Sequence, residues 1–325
     1  MQNPIKLLVM SDLHIGYVPP WFKGALASWD ASFYDPNVAV AAARKIALLT
    51  AEHNIDANIV VGDLALSSSQ EHLQNAMTFL NGHGRRDYFG DYELSDGHAS
   101  IGLITQKTPT ILVRGNHDNY QAILWPKVKR QPFSDCLIAH STHCTTKPQI
   151  TAQPFGADVV LYNFARFSIV VADFTLRAGD TTFIRPPVLG QAFGKGKVYP
   201  KILEQLHEAL SHAVKPVILT CHFPPDFPAH KNIKKPKSLE LLDEQLLIDA
   251  LKDSEVKLII AGHLHQQLAY TLRHTQIQVI CSATSLAGKS KVNNGLHLIM
   301  LDLCQDGINA IKSTDFYCTD ECVFE

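Results

Sequence analysis

Short runs of apolar, β-branched residues recur along this chain, and five of them break off in Asp, Asn or His. Runs of four to six such residues read as strands buried on both faces. They fall at Ile5 to Met10, Ala57 to Val61, Thr110 to Val113, Ser168 to Ala172, Pro216 to Cys221, Val256 to Ala261, Ile277 to Cys281 and Leu296 to Leu301. Helical periodicity appears between them, at Val38 to Asn54, Glu71 to Leu80, Ile202 to Ala213 and Leu239 to Lys252. Helices of crossover length between strands imply an α/β fold with a largely parallel sheet, not an all-β one.

The chain has 325 residues and 46% hydrophobic content, enough for one large core or two modest domains. One domain over residues 1–325 is the expectation. Long aperiodic segments at 81–100, 175–200 and 223–238 interrupt it, and such loops serve as caps or as solvated excursions. Lys and Arg number 29 against 31 Asp and Glu, so there is no strong nucleic-acid signal. The apolar run at the start is too short for a signal-peptide core, and no stretch reaches the roughly 20 apolar residues of a transmembrane segment. Seven cysteines without a close CxxC pair fit free thiols in a reducing compartment. A cytoplasmic protein is expected. Cys304, Cys318 and Cys322 leave open a small metal or disulfide site, with ordinary thiols the preferred reading.

The run endings carry the chemistry. Asp12-Leu13-His14 follows the first run, and residues two apart in an extended chain point the same way, so both side chains converge. A turn with a surface histidine fits the same triplet. Val60-Val61-Gly62-Asp63 puts a carboxylate at the carboxyl edge of a sheet, where α/β folds place ligands; Asp63 also fits a helix cap. Gly115-Asn116-His117-Asp118 follows the third run, His222 ends the fifth, and Gly262-His263-Leu264-His265 repeats the spacing of the first motif. Each has a structural reading alone. Together, along one edge of a parallel sheet, they form a single converging set.

That ordered set resembles the calcineurin-like metallophosphoesterase superfamily. The motifs run from residue 12 to 265, all present without substitution. The resemblance implies a four-layer αββα sandwich with a dimetal site at the carboxyl ends of the strands. It implies that Asp12, His14, Asp63 and His265 hold one metal, and that Asp63 bridges to a second held by Asn116, His222 and His263. His117 then lies beside the metals without ligating them. A carboxylate can bridge cations about 3.5–4 Å apart, the arrangement of two-metal phosphoryl-transfer sites. The donor set suits two divalent ions of Mn, Fe or Zn and does not choose among them. Cys221, next to His222, should face the other way.

The implied reaction is phosphoester hydrolysis by attack of a metal-bridging hydroxide, with His117 as the candidate general acid. Asp118 has two readings, orienting an imidazole or capping the following turn. The expected substrate is a small phosphodiester, a cyclic nucleotide or nucleotide-linked pyrophosphate, with phosphomonoesters also open. Gly62-Asp63 continues as Leu64-Ala65-Leu66-Ser67, a departure from the Gly-Asp-x-x-Asp-Arg-Gly of the protein-phosphatase branch. The alternative is a non-catalytic scaffold of this fold that binds proteins, against which the complete ligand set and His117 count. A lipid-headgroup enzyme is a third possibility, for which Trp21, Phe22 and Trp29 would supply a membrane-facing patch or simply roof the site. Ala287-Gly288-Lys289-Ser290 lacks the earlier glycine of a phosphate-binding loop, because Ala283 stands there. The basic residues Lys231, Lys234, Lys235, Lys237, Arg85 and Arg86 fit an anionic substrate or solvated loops equally.

Overall fold

Every strand read from an apolar run is present, and alternate side chains along it divide between two different apolar layers. In a computed structural model, the described residues are 3–16, 36–80, 108–120, 128, 130–135, 150–178, 180, 194–227, 239–286, 295–304, 307–319 and 323–325. The elements begin with β1 (Ile5–Met10), α1 (Pro36–Glu52), β2 (Ala57–Val61), α2 (Gln70–Leu80) and β3 (Thr110–Val113). Then come β4 (Thr151–Phe155), β5 (Val159–Asn163), β6 (Ser168–Ala172), β7 (Gly196–Lys197), α3 (Pro200–Ser211), β8 (Val217–Thr220) and β9 (Leu241–Leu242). The chain continues with α4 (Glu244–Leu251), β10 (Val256–Ala261), β11 (Leu268–Thr271), β12 (Gln278–Cys281), β13 (Gly295–Cys304) and β14 (Gly307–Tyr317).

Two large sheets result. One has the order β14-β13-β1-β2-β3 and the other β11-β12-β10-β8-β6-β5-β4. Strands β1, β2 and β3 are mutually parallel, as are β12, β10, β8 and β6. β3 ends the first sheet as a parallel strand, and antiparallel strands close its other edge and both edges of the second sheet. A pleated strand sends successive side chains to opposite faces. Leu7, Val9, Ile59 and Val61 therefore meet Ile169, Ile218, Leu258 and Ile260 between the sheets. Leu8, Met10, Val60 and Leu112 face outward to residues of α1 and α2, while Val170, Leu219, Ile259 and Val279 face residues of α3 and α4. The result is the four-layer αββα sandwich. In α3, Pro200 opens the helix and Ile202, Gln205, Leu206 and Ala209 form its buried stripe. Each fully buried Leu or Ile contributes about 1.5–3 kcal/mol relative to exposure.

Two departures have local causes. The expected helix from Leu239 begins only at Glu244, because Leu241 and Leu242 pair with Gly196 and Lys197 as a two-stranded ribbon. Strands β4, β5, β11 and β14 were not expected. β4, at a sheet edge, contains Pro154 and is largely exposed, so it carries little apolar signal. Segments 81–100 and most of 223–238 lie outside the described residues, as do Trp21, Phe22, Trp29, Arg85, Arg86, the four lysines from 231 to 237 and Cys322. Of segment 175–200, the ends are described, and Gly196–Lys197 forms the ribbon with β9. Among the described residues no helix is long and apolar enough to cross a membrane. Cys221 and Cys281 are unbridged buried thiols in the apolar layer beneath α3 and α4, so Cys221 does face away from the His222 side.

A buried ionic network joins the sheets where β3 and β6 end. Arg114 Nη1 lies 2.5 Å from Asp173 Oδ2, and Arg130 Nη2 lies 2.7 Å from the same oxygen and 2.5 Å from Asp158 Oδ1. Thr175 donates both its amide and hydroxyl to Asp173 Oδ1. Burial would raise the Asp173 pKa, but Arg114 and Arg130 outweigh it and hold the carboxyl below its usual range. Removing one partner strands a buried charge, so Arg114→Ala should cost about 3–5 kcal/mol in urea unfolding. The depressed Asp173 pKa contributes stability that is complete above the unfolded value of about 3.9 and lost as pH falls through the lower folded value. The stability gap between wild type and Asp173→Asn should therefore be widest above about pH 5 and narrow in acid, as read from urea midpoints across pH.

Candidate metal centre

The segments beyond β1 and β2 stay paired after the strands end. Asp12 N donates to Gly62 O at 3.1 Å, His14 N to Asp63 O at 2.9 Å and Ile15 N to Leu64 O at 3.1 Å. On the other sheet, Gly262 N donates to His222 O at 3.0 Å. These segments are not extended. Asp12, His14, Asp63, His263 and His265 all take left-handed backbone, with φ of 51°, 47°, 48°, 71° and 50°. The expectation that an extended chain aims Asp12 and His14 together is corrected accordingly. Left-handed residues alternate with the buried Leu13 and Leu264, and it is this alternation that turns each pair inward. The conformation costs about 1–2 kcal/mol per residue and concentrates at functional sites. Gly62, at φ 84°, lies against the His222 ring, where a methyl group would clash.

All eight side chains singled out from the sequence are gathered at this double edge. Candidate ligand atoms of Asp12, His14 and His265 lie within 4.8 Å of one another, as do those of His14, Asp63 and His117, and those of Asp63, His222 and His263. His14 Nε2 and His265 Nε2 face each other at 3.2 Å, and His265 Nε2 is also 3.2 Å from Asp12 Oδ1. Asp12 Oδ2 accepts from Ser11 Oγ at 2.5 Å and from His263 N at 3.0 Å. Asp12 Oδ1 and His263 Nε2 are buried with no hydrogen-bond partner.

Around Asp63, His222 Nδ1 donates to Val61 O at 2.8 Å, which fixes its proton there. Its Nε2 then faces Asn116 Oδ1 at 3.0 Å and Asp63 Oδ2 at 3.3 Å. Burial would lower the His222 pKa, but Asp63 beside it wins and lifts it to about 9. Burial alone dominates at His14, with His117 adding to it, and at His263, with His222 adding; both fall to about 3 and stay neutral. Asp12 and Asp63 resist the upward pull of burial because His265 and His222 hold them ionised. Converging lone pairs, two ionised carboxylates and orphaned buried acceptors fit a site that receives cations. His14 and His263 thus hold the neutral, ligating form of imidazole, whereas Asp63 and Asp12 favour protons on His222 and His265 that a cation would displace.

His117 and Asp118 divide the next turn. His117 N donates to Asp63 Oδ1 at 2.8 Å, its Nδ1 donates to Leu66 O at 3.0 Å, and its ring meets His14 edge-on at 4.6 Å. Among the described residues, Asp118 orients no imidazole. Its carboxylate accepts the amides of Leu64 at 3.2 Å, Ala65 at 2.9 Å and Gly115 at 2.9 Å. It thereby clamps the loop bearing Asp63 to the loop bearing Asn116. Burial and the charge on Asp63 push the Asp118 pKa up to about 7. The sequence reading missed Ser11, Thr284 and Ser285, which surround Asp12. The run Ser282-Ala283-Thr284-Ser285 after β12, a sixth strand end rich in hydroxyls, was the available signal.

The profile of the calcineurin-like phosphoesterases matches residues 5–267, and the chain belongs to that family. It is a metal-dependent hydrolase of phosphate esters with a dinuclear divalent-metal site. Among solved structures, it is similar to a dimetal phosphatase from Danio rerio at 11% identity and a TM-score of 0.56, covering 97% of this chain and 99% of the other. It also matches GAP50, described as the anchor in the inner membrane complex of Plasmodium, at 14% identity and a TM-score of 0.47, with 97% and 85% covered. A third match is the calcineurin-like phosphoesterase YfkN from Bacillus subtilis, at 10% identity and a TM-score of 0.44, with 97% and 91% covered. No curated protein matches the sequence.

Asp118→Asn replaces one acceptor oxygen with a donor that faces backbone amides. It should destabilise the protein by about 1–3 kcal/mol in urea and reduce metal retained after desalting, read by elemental analysis.

Proposed function

We propose that the protein hydrolyses a small phosphodiester, a cyclic nucleotide or a nucleotide-linked pyrophosphate, at this centre. The observation that carries the reading is the position of Asp63, which belongs to the ligand groups on both sides. Asp12, His14 and His265 would hold one metal, with Asn116, His222 and His263 holding the other and Asp63 shared. When bound, two divalent ions supply a nucleophile from water near neutral pH and neutralise charge on the phosphoryl oxygens. Imidazole, carboxylate and amide donors suit Mn, Fe or Zn.

The protein's own groups do the rest. In an in-line displacement a new oxygen–phosphorus bond forms as the bond to the leaving oxygen breaks, and that oxygen needs a proton. His117 is positioned to give it. The Leu66 carbonyl holds the Nδ1 proton, so Nε2 is the atom that exchanges a proton with substrate. The hydrogen bond that the His117 amide donates to Asp63 Oδ1 ties this acid to the shared carboxylate. Small diesters are favoured over phosphoprotein by the run Leu64-Ala65-Leu66-Ser67 after Asp63, and over nucleic acid by a net charge of −2. Unbridged Cys221 and Cys281 fit a reducing cytoplasmic setting.

The test is a screen of cyclic nucleotides, nucleotide pyrophosphates, phosphomonoesters and bis-p-nitrophenyl phosphate with Mn²⁺, Fe²⁺ or Zn²⁺. His117→Ala should keep both metals yet lose about 10²–10⁴-fold in turnover on alkyl esters, with a smaller loss on p-nitrophenyl esters. Asp63→Asn should abolish turnover throughout. Activity surviving in Asp63→Asn would refute the shared carboxylate, and unchanged alkyl-ester turnover would remove His117 from the proton transfer.

A further inference from the structure

Asp12 is fully buried, and every polar group on it except Oδ1 has a fixed partner. Its amide donates to Gly62 O at 3.1 Å, and its carbonyl accepts the Thr284 hydroxyl at 2.8 Å. Its Oδ2 takes the Ser11 hydroxyl at 2.5 Å and the His263 amide at 3.0 Å. The Ser11 hydroxyl also approaches Val61 O at 3.2 Å. It has one proton to give, and the shorter, charge-assisted contact to the carboxylate is the stronger one. Gly262 closes over this hydroxyl, leaving no room for a side chain there. Only Oδ1 lacks a hydrogen bond that fixes it; it faces the imidazoles, 3.2 Å from His265 Nε2 and 4.0 Å from His14 Nε2 and His222 Nε2.

Ser11 is itself held from β12 and β13. Its amide donates to Ser285 Oγ at 3.1 Å, and its carbonyl accepts the Ser285 amide at 2.9 Å. Ser285 Oγ donates in turn to Gly295 O at 2.9 Å. The Ala283 amide donates to His297 Nε2 at 3.3 Å, and His297 Nδ1 donates to Asp315 Oδ1 at 2.9 Å. Ser11, Thr284, Ser285 and His297 have no solvent exposure. The bonded chain from β14 to Asp12 thus passes through residues that lie beyond the family match at 5–267.

We propose that Ser11, Thr284 and Ser285 are positioning residues that select which Asp12 oxygen faces the metals, and so set the affinity of the metal held with His14 and His265. The inference rests on the metal assignment above. A carboxylate whose Oδ2 is already bonded presents Oδ1 alone and need not reorient when a cation arrives. Outer hydrogen bonds of this kind typically carry about 10–100-fold in metal affinity.

The experiment titrates metal-stripped protein with Mn²⁺, followed by calorimetry and by the Mn²⁺ paramagnetic resonance signal. Wild type, Ser11→Ala, Thr284→Val, Thr284→Ser and Asp12→Asn are compared, with circular dichroism confirming that each is folded. Ser11→Ala and Thr284→Val should weaken one of the two Mn²⁺ equivalents by about 10–100-fold and leave the other within about threefold, and Thr284→Ser should restore it. If Ser11→Ala does not fold, the Thr284 pair decides. Both equivalents within about twofold of wild type, or equally weakened, would overturn the proposal. Asp12→Asn separates the two readings: if it keeps both equivalents tight, the metal assignment itself fails. If it loses one while the hydroxyl variants lose none, only the positioning role fails.

Discussion

Two carboxylates and three imidazoles, those of Asp12, Asp63, His14, His222 and His263, buried where the carboxyl edges of the two sheets meet, are the constraint on which the rest of the architecture turns. Placing an ionised carboxylate out of water costs several kcal/mol unless partners compensate. Besides the adjacent Ser11 hydroxyl on Asp12, the compensation comes from elements far apart in sequence: the His263 amide and the His265 ring for Asp12, the His117 amide and the His222 ring for Asp63. Val61 O accepts from His222 across the gap between the sheets. The sandwich therefore has one admissible relative placement of its halves at this end.

The proton positions follow from the same scaffold. Carbonyls of Val61 and Leu66, one at the end of β2 and one just beyond it, hold the Nδ1 protons of His222 and His117. A single strand and its exit thus set the tautomers of a proposed ligand and of the proposed acid. The Asp118 clamp binds this exit to the turn after β3 through the amides of Leu64, Ala65 and Gly115. Asp63, Asn116 and His117 are thereby tied together through one buried carboxylate and the His117 amide.

How much of this the chain announces depends on the physical kind of signal. Strands β1, β2, β3, β6 and β10 were legible to the residue, because a strand covered on both faces needs an unbroken apolar run. The convergence of Asp12, His14, Asp63, Asn116, His117, His222, His263 and His265 was legible because parallel strands align their carboxyl ends. Edge strands β4 and β14 were not, since exposure thins their apolar pattern. The Asp118 clamp and the Arg114–Asp173 pair were hidden for a different reason. Both depend on which distant loop arrives opposite a short side chain, and periodicity carries no record of that.

The left-handed backbone at five of the gathered positions has an implication for which amino acids the centre can use at all. Branching at Cβ is poorly tolerated in that region, whereas Asp, Asn and His enter it more readily than other residues bearing side chains. The folded path of the chain thus admits a short list of residues before any ion is considered. That list overlaps the residues whose oxygen and nitrogen atoms bind divalent cations. Conformation and coordination act as two filters on one alphabet, and substitutions at these sites are screened by both.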